Sequence, residues 1–248
     1  MDPLPPVHAP DSHPLNRPVW SALTGRQSDF ASDFVSHAAG HLKESLRFRT
    51  EVSPLAAAGP SGSDISGSDL AALRDLAGEG EELWFLEKTP PPVPPGMTLL
   101  REAECVQMTA RSITAGANTF HAAPLGEADA EDMLALATLT APGPFRHGTW
   151  RLGGFIGIRK EGRLVAMAGE RTKPGEFCEV SGVCTHPDFR GRGYAGFLMR
   201  EVASAILARG ETPFLHCYAT NHGAIALYRT LGFTPFQSIT ASVIRRDP

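Results

Sequence analysis

Within the six residues Arg190-Gly-Arg-Gly193-Tyr-Ala195, two cations and two glycines stand directly before a stretch of helical apolar spacing: Ala195, Leu198, Met199, Val202 and Ile206. Glycines let a backbone approach a ligand closely, and the unpaired N–H groups of a helix start point back into such a loop. With Arg190 and Arg192 beside them, the chemistry expected is capture of a phosphate or pyrophosphate. Two titratable groups flank the loop in sequence, Glu179 before it and Tyr228 after it. A carboxylate and a phenol are a natural base and acid.

The elements that must position these groups follow from composition. Phe177 to Thr185 is apolar and β-branched enough for a buried strand, and Pro187 ends it because proline lacks the N–H that a ladder needs. Gly182 marks a bulge in that strand. A helix starts at Tyr194 and stops at Gly210. Phe214 to Ala219 is a further strand, and Asn221 caps a last helix that buries Ala224, Ile225, Tyr228 and Leu231 and terminates at Gly232. On the N-terminal side, Glu127 to Leu139 is an amphipathic helix with an acidic first turn, followed by a hairpin of Gly154 to Lys160 and Arg163 to Arg171 about Glu161-Gly162. Gly191 to Gly196 formally matches the dinucleotide fingerprint G-x-G-x-x-G. Its context does not: in that fold the first glycine turns directly off the strand, whereas His186 to Arg190 intervene here, and too little chain follows for repeated βαβ units.

Arg190-Gly-Arg-Gly193-Tyr-Ala195 instead resembles the R/Q-x-x-G-x-G/A signature of the GNAT superfamily of acyl-CoA-dependent N-acyltransferases. Asn221-His-Gly-Ala224-Ile-Ala-Leu-Tyr228-Arg-Thr-Leu-Gly232-Phe233 is similar to the second signature of that family, N-x-x-A-x-x-x-Y-x-x-x-G-F. The resemblance covers residues 118–248. It implies an α/β fold with a mixed, mostly antiparallel sheet flanked by helices, and acetyl-CoA as cosubstrate. It also implies a cofactor set of Val183, Cys184, Thr185, Arg190, Gly191, Arg192, Gly193, Tyr194, Ala195, Asn221 and Ala224. The backbone of Val183 to Thr185 is expected to pair with the pantetheine arm. An attacking amine must first lose a proton, since an alkylammonium has a pKa of about 10. Glu179 is the expected base, at the distance from the phosphate loop that histone-acetylating members use, with Glu170 in reserve. Tyr228 matches the tyrosine that protonates the departing thiolate.

A net charge of −4 argues against a non-specific nucleic-acid binder. Four cysteines without Cys-x-x-Cys spacing suggest neither a disulfide scaffold nor a zinc site, and His186, His216 and His222 match no metal motif, so no metal is expected. No apolar run approaches a membrane span and no targeting segment is evident, so the expected location is the cytoplasm.

The expected organisation is a disordered or extended proline-rich tail over residues 1–18, an N-terminal α/β module over 19–116, and the GNAT domain over 117–248. Leu42 to Val52 reads as a strand with an exposed polar face, Pro60 to Ser68 as a small-residue loop, and Thr89 to Gly96 as a stiff proline-rich loop. The first module resembles a degenerate GNAT half, as in the two-part glycine N-acyltransferases. The function expected is acetyl transfer to a primary amine of a small molecule or peptide, in a ternary complex. A longer acyl-CoA used on an amino acid, or a non-catalytic acyl-CoA sensor, are the alternatives. The substrate wall is expected from the first strands, Phe145 to Trp150 and the first module, and the oligomeric state is left open, with a homodimer as one option.

Overall fold

The computed structural model describes residues 12–32, 45–59, 67–117 and 120–248. The strands, in chain order, are β1 (Leu46–Arg47), β2 (Ala56–Ala57), β3 (Glu82–Glu87), β4 (Met97–Thr109), β5 (Ala123–Pro124), β6 (Ile156–Lys160), β7 (Arg163–Glu170), β8 (Phe177–Thr185), β9 (Thr212–Tyr218) and β10 (Thr234–Arg246). The α-helices are α1 (Pro18–Leu23), α2 (Gly67–Asp75), α3 (Ala130–Thr140), α4 (Tyr194–Ala208) and α5 (His222–Leu231). Eight strands form one sheet in the order β3-β10-β4-β9-β8-β7-β6-β5. Every neighbouring pair is antiparallel except β8 with β9. This is the mixed, mostly antiparallel sheet that the motifs imply.

The expected division at residue 116 does not correspond to a break in space. β4 comes from the first half of the chain, yet it lies between β10 and β9 of the second half and pairs with both. A strand inside a sheet satisfies its backbone groups on both sides, so the two halves are one cooperative ladder. Only β1 and β2 form a separate ribbon among the described residues.

The sheet is covered on both faces. α4 packs its apolar positions Leu198, Met199, Val202 and Ile206 onto a cluster with Val165, Cys178, Val180 and Leu215. Side chains alternate along a strand, so Phe177 and Glu179 point away from α4, as do Phe214 and His216 on β9. The opposite face is closed by the beginning of the chain. Leu15 packs on Phe177 and Phe214, and Val19 and Leu23 of α1 join Leu46, Phe48, Leu55, Cys105 and Ile239. Leu15 and Val19 are fully buried, and such side chains each contribute about 1.5–3 kcal/mol. Of the tail expected over residues 1–18, the described part is packed from His13 onward; residues 1–11, with His8, lie outside the described residues.

Other expectations differ in detail. The strand expected at Leu42 to Val52 is the two-residue β1, Arg47 is buried against Glu81 rather than exposed, and Leu42 is outside the described residues. So is most of the expected loop at Pro60 to Ser68. Among the described residues no helix is long and apolar enough to cross a membrane.

Candidate active site

Strands β8 and β9 pair in parallel only at Phe177–Thr212, Cys178–Pro213 and Glu179–Phe214. Beyond Glu179, β8 runs on to Thr185 without a strand partner on that side among the described residues. On the other side, β8 bulges against β7, where Met167 pairs with Cys184 and Gly169 with Ser181. Gly182 occupies the bulge at φ +62°, and a Cβ there would stand 2.8 Å from the Phe155 ring. No other residue fits that position without moving the ring. The bulge bends β8, and the parted strands leave a cleft of about 510 Å³ between the end of β8 and the start of α4.

Its lining includes Val183, Cys184, Thr185 and the whole loop from Arg190 to Ala195, so the expected cofactor residues of β8 and the loop converge on one surface. Gly191 and Gly193 have φ of +76° and +84°. The N-terminus of α4 has no side-chain cap. Its first N–H groups are open to an anion. Arg190, Arg192 and Arg200 line the same cleft, and none pairs with a carboxylate among the described residues. In a chain of net charge −4, three such cations around one helix start form a local anion site. Thr185 adds a buried hydroxyl without a hydrogen-bond partner among the described residues. These donors fit the pyrophosphate and amides of a coenzyme A. Arg200 went unread in the sequence, although it stands one helical turn from Gly196 on the same face.

Asn221 and Ala224 do not join this surface. Asn221 caps α5, its Oδ1 accepting from Ala224 N–H at 3.1 Å, and it lines a second pocket with Tyr228. Ala224 packs against the core instead. The second pocket, about 150 Å³, is walled by Leu55 and Trp84 from the first half of the chain and by Arg171, His216, Cys217 and Tyr218. Pro142 lines both clefts, so they meet at the Pro142–Pro144 turn. That turn, not Phe145 to Trp150, supplies this part of the wall. Burial pushes the Tyr228 hydroxyl up to about 12, so it carries its proton at neutral pH.

Glu179 is not presented to either cleft. Its carboxylate is 1% exposed and takes two bonds from Arg171, at 2.9 and 2.6 Å, one from the Thr172 hydroxyl at 2.7 Å and one from His216 Nδ1 at 2.6 Å. Burial favours its neutral form, but Arg171 and His216 more than offset this and hold it far below the carboxylate range. A base must reach the proton it takes and have a pKa near the working pH. Glu179, expected as the base, meets neither condition in this arrangement. The reserve, Glu170, is held by Lys173 and Arg209, each at 2.8 Å, and lines neither cleft.

The ion pair belongs to a longer buried chain. Gln107 Nε2 donates to Leu15 O and to His216 Nε2, which leaves His216 Nδ1 as the donor to Glu179. Gln237 Nε2 donates to Gln107 Oε1 and Leu15 O. Gln27 grips the other side, donating to Arg171 O and accepting from Lys173 N–H. The segment from Leu15 to Gln27 thus seals the network from solvent. All four cysteines are buried free thiols. Burial pushes Cys184 up to about 11, so it is a packing residue and not a nucleophile. Among the described residues no group of His, Cys, Asp and Glu is arranged to hold a metal.

The chain is similar to known proteins in sequence and fold. The family described as FR47-like protein matches residues 155–241, from the hairpin through both motifs. The N-alpha-acetyltransferase RimI of Mycobacterium tuberculosis is 39% identical over 83 residues, 32% of this chain and 51% of that protein. The chain thus spans about half the length of this curated relative. A GCN5-related N-acetyltransferase from Kribbella flavida shares the fold at 20% identity, with a TM-score of 0.58 over 82% of this chain and 86% of its own. A crystal structure of a Novosphingobium aromaticivorans protein assigned to the GNAT acetyltransferase family superposes with a TM-score of 0.82. It is 41% identical and covers 96% of this chain and 100% of its own. With that identity over nearly its whole length, and with the parted strands and the glycine loop in place, the chain belongs to the GNAT family.

Proposed function

We propose that this protein is an N-acetyltransferase that moves the acetyl group of acetyl-CoA to a primary amine. The observation that carries this reading is the convergence of the open edge of β8, the uncapped start of α4 and three arginines free of carboxylate partners among the described residues on one cleft. When bound, acetyl-CoA supplies the thioester. The nest at Gly191 and Gly193, with Arg190, Arg192 and Arg200, holds its phosphates, and the backbone of Val183 to Thr185 pairs with its amides and directs the acyl end toward Pro142. The acceptor occupies the pocket at Tyr228.

The amine nitrogen bonds to the acyl carbon and the carbon–sulfur bond breaks, so the thiolate gains a proton and the amine loses one. In this reading Tyr228 donates to the sulfur, a role supported by its position in the pocket lining and by a hydroxyl that keeps its proton at neutral pH. Neither Glu179 nor Glu170 faces the acceptor, so the amine proton leaves through water in the open pocket. The name of the M. tuberculosis relative supports an α-amine as the acceptor class. Four buried thiols fit a reducing compartment such as the cytoplasm.

The test is release of coenzyme A thiol from acetyl-CoA across a panel of amines, amino acids and peptides. Thiol release dependent on the amine supports the reading, and the same assay with longer acyl-CoAs sets the donor length. Binding of acetyl-CoA without release for any amine would make the protein a sensor instead.

A further inference from the structure

The acceptor pocket contains a cation whose charge is already spoken for. Arg171 is nine-tenths buried, with Nε and Nη2 committed to the Glu179 carboxylate. Its Nη1 makes no hydrogen bond among the described residues and lies 3.9 Å from where a Cβ on Gly143 would stand, at the wall of the acceptor pocket. With its other donors committed, an N–H at the wall of the pocket is available to an acceptor that enters it. Because Glu179 already neutralises the guanidinium, a second carboxylate entering the pocket would gain little net attraction and would meet the like charge of Glu179. A neutral carbonyl oxygen satisfies Nη1 without that repulsion.

The sheet beside the pocket offers a place for the chain beyond that carbonyl. β4 pairs with β10 along its length, but with β9 only from Cys105 to Thr109. Tyr218, the last residue of β9, sits opposite Cys105 and lines the pocket. From Ala103 back to Thr98, the side of β4 that faced β9 has no strand partner among the described residues. An open strand edge accepts an extended peptide. The bulge at Leu100 restricts such pairing to the residues nearest the pocket. The pocket itself, about 150 Å³, is below the roughly 300–1,000 Å³ of sites that enclose a drug-sized ligand. It suits the end of a chain better than a whole molecule.

We infer that the acceptor is the N-terminal residue of a peptide chain, whose first carbonyl oxygen is held by Arg171 Nη1 and whose next residues run along the open edge of β4. Arg171 is then a specificity-determining residue, and Glu179 is the positioning residue that sets its orientation. This rests on the acetyltransferase reading, because the pocket is taken as the acceptor side of a coenzyme A site.

The experiment is calorimetric titration of the full chain, first with coenzyme A and then, saturated with it, with alanine, alaninamide and an alanine-initiated tripeptide amide. Alaninamide is expected to bind at least about tenfold more tightly than alanine, the equivalent of one hydrogen bond to a charged donor, and the tripeptide amide more tightly still. In Arg171→Lys, which keeps the charge but loses the planar fork that can hold Glu179 on one edge and present Nη1 on another, the amide-to-acid ratio falls to about twofold or less; a ratio is insensitive to a general loss of affinity. Alanine binding as well as alaninamide, or neither binding, overturns the inference on the unaltered protein, whatever the fate of the variant. Failure of the first titration, with coenzyme A alone, would instead remove the acetyltransferase reading and this inference with it.

Discussion

The guanidinium of Arg171 and the carboxylate of Glu179 face each other across the β7–β8 turn, with bonds of 2.9 Å from Nε to Oε2 and 2.6 Å from Nη2 to Oε1. Antiparallel register puts them opposite, since Glu170 pairs with Val180 and the backbones of Arg171 and Glu179 are themselves hydrogen-bonded. The pair turns a carboxylate expected to remove a proton into one that orients a cation.

Removing one member of a buried pair strands the other. Glu179→Gln is therefore expected to lower the unfolding free energy by about 3–5 kcal/mol, read from urea titration. The folded Glu179 titrates below its ordinary value, so its stabilisation is present above about pH 4.5 and fades as pH falls below that. The acid limb of the stability curve should flatten in the variant. An unchanged midpoint and an unchanged acid limb would show that the pair contributes nothing to folding.

Tyr228 is expected to act on chemistry and not on donor binding. Tyr228→Phe should lower kcat by about 10²-fold, within the range for loss of a general acid, with the affinity for acetyl-CoA nearly unchanged, because Tyr228 lines the second pocket and not the cleft at the glycine loop. Steady-state kinetics beside donor titration separate the two. A full-rate Tyr228→Phe enzyme would remove the acid role.

A second buried carboxylate offers a stability test away from the site. Burial pushes Glu87 up to about 7 despite the Arg17 guanidinium at 2.9 Å. Folding thus raises its pKa, the folded state binds the proton more tightly, and stability is lost as pH rises from about 4.5 through about 7. Glu87→Gln removes that loss. The Tm of Glu87→Gln relative to the unaltered protein should rise between pH 5 and pH 8; a constant difference would mean that Glu87 is ionised throughout.

The parts of this fold governed by local chemistry were legible in the sequence. Phe177–Thr185 and Tyr194–Ala208 begin and end where Pro187, Gly193 and Gly210 require, and Asn221 and Gly232 bound α5 as capping rules demand. The bulge at Gly182 came from the same reasoning, since a residue without a Cβ in a strand marks a bend. The fate of Glu179 was not legible. Its burial depends on Leu15 and on Gln27, which reaches Arg171 across 144 positions of sequence, and a proline-rich start to a chain gives no local sign that it will cover a sheet. The same holds for β4: nothing in Met97–Thr109 announces that β9 and β10 will close around it. Long-range pairing is set by the whole topology, and its signal is not in any one segment.

The central claim is that the Gly191–Gly193 loop and the start of α4 hold the phosphates of acetyl-CoA. Calorimetric titration of acetyl-CoA into the unaltered protein and into Gly193→Asp tests it most directly. Gly193 sits at φ +84° beside the uncapped helix, so aspartate there is strained and places a negative charge where the pyrophosphate would lie. The account predicts binding to the unaltered protein and a loss of more than about 100-fold in the folded variant, about 2.7 kcal/mol. Equal binding by both, or binding by neither, would contradict it.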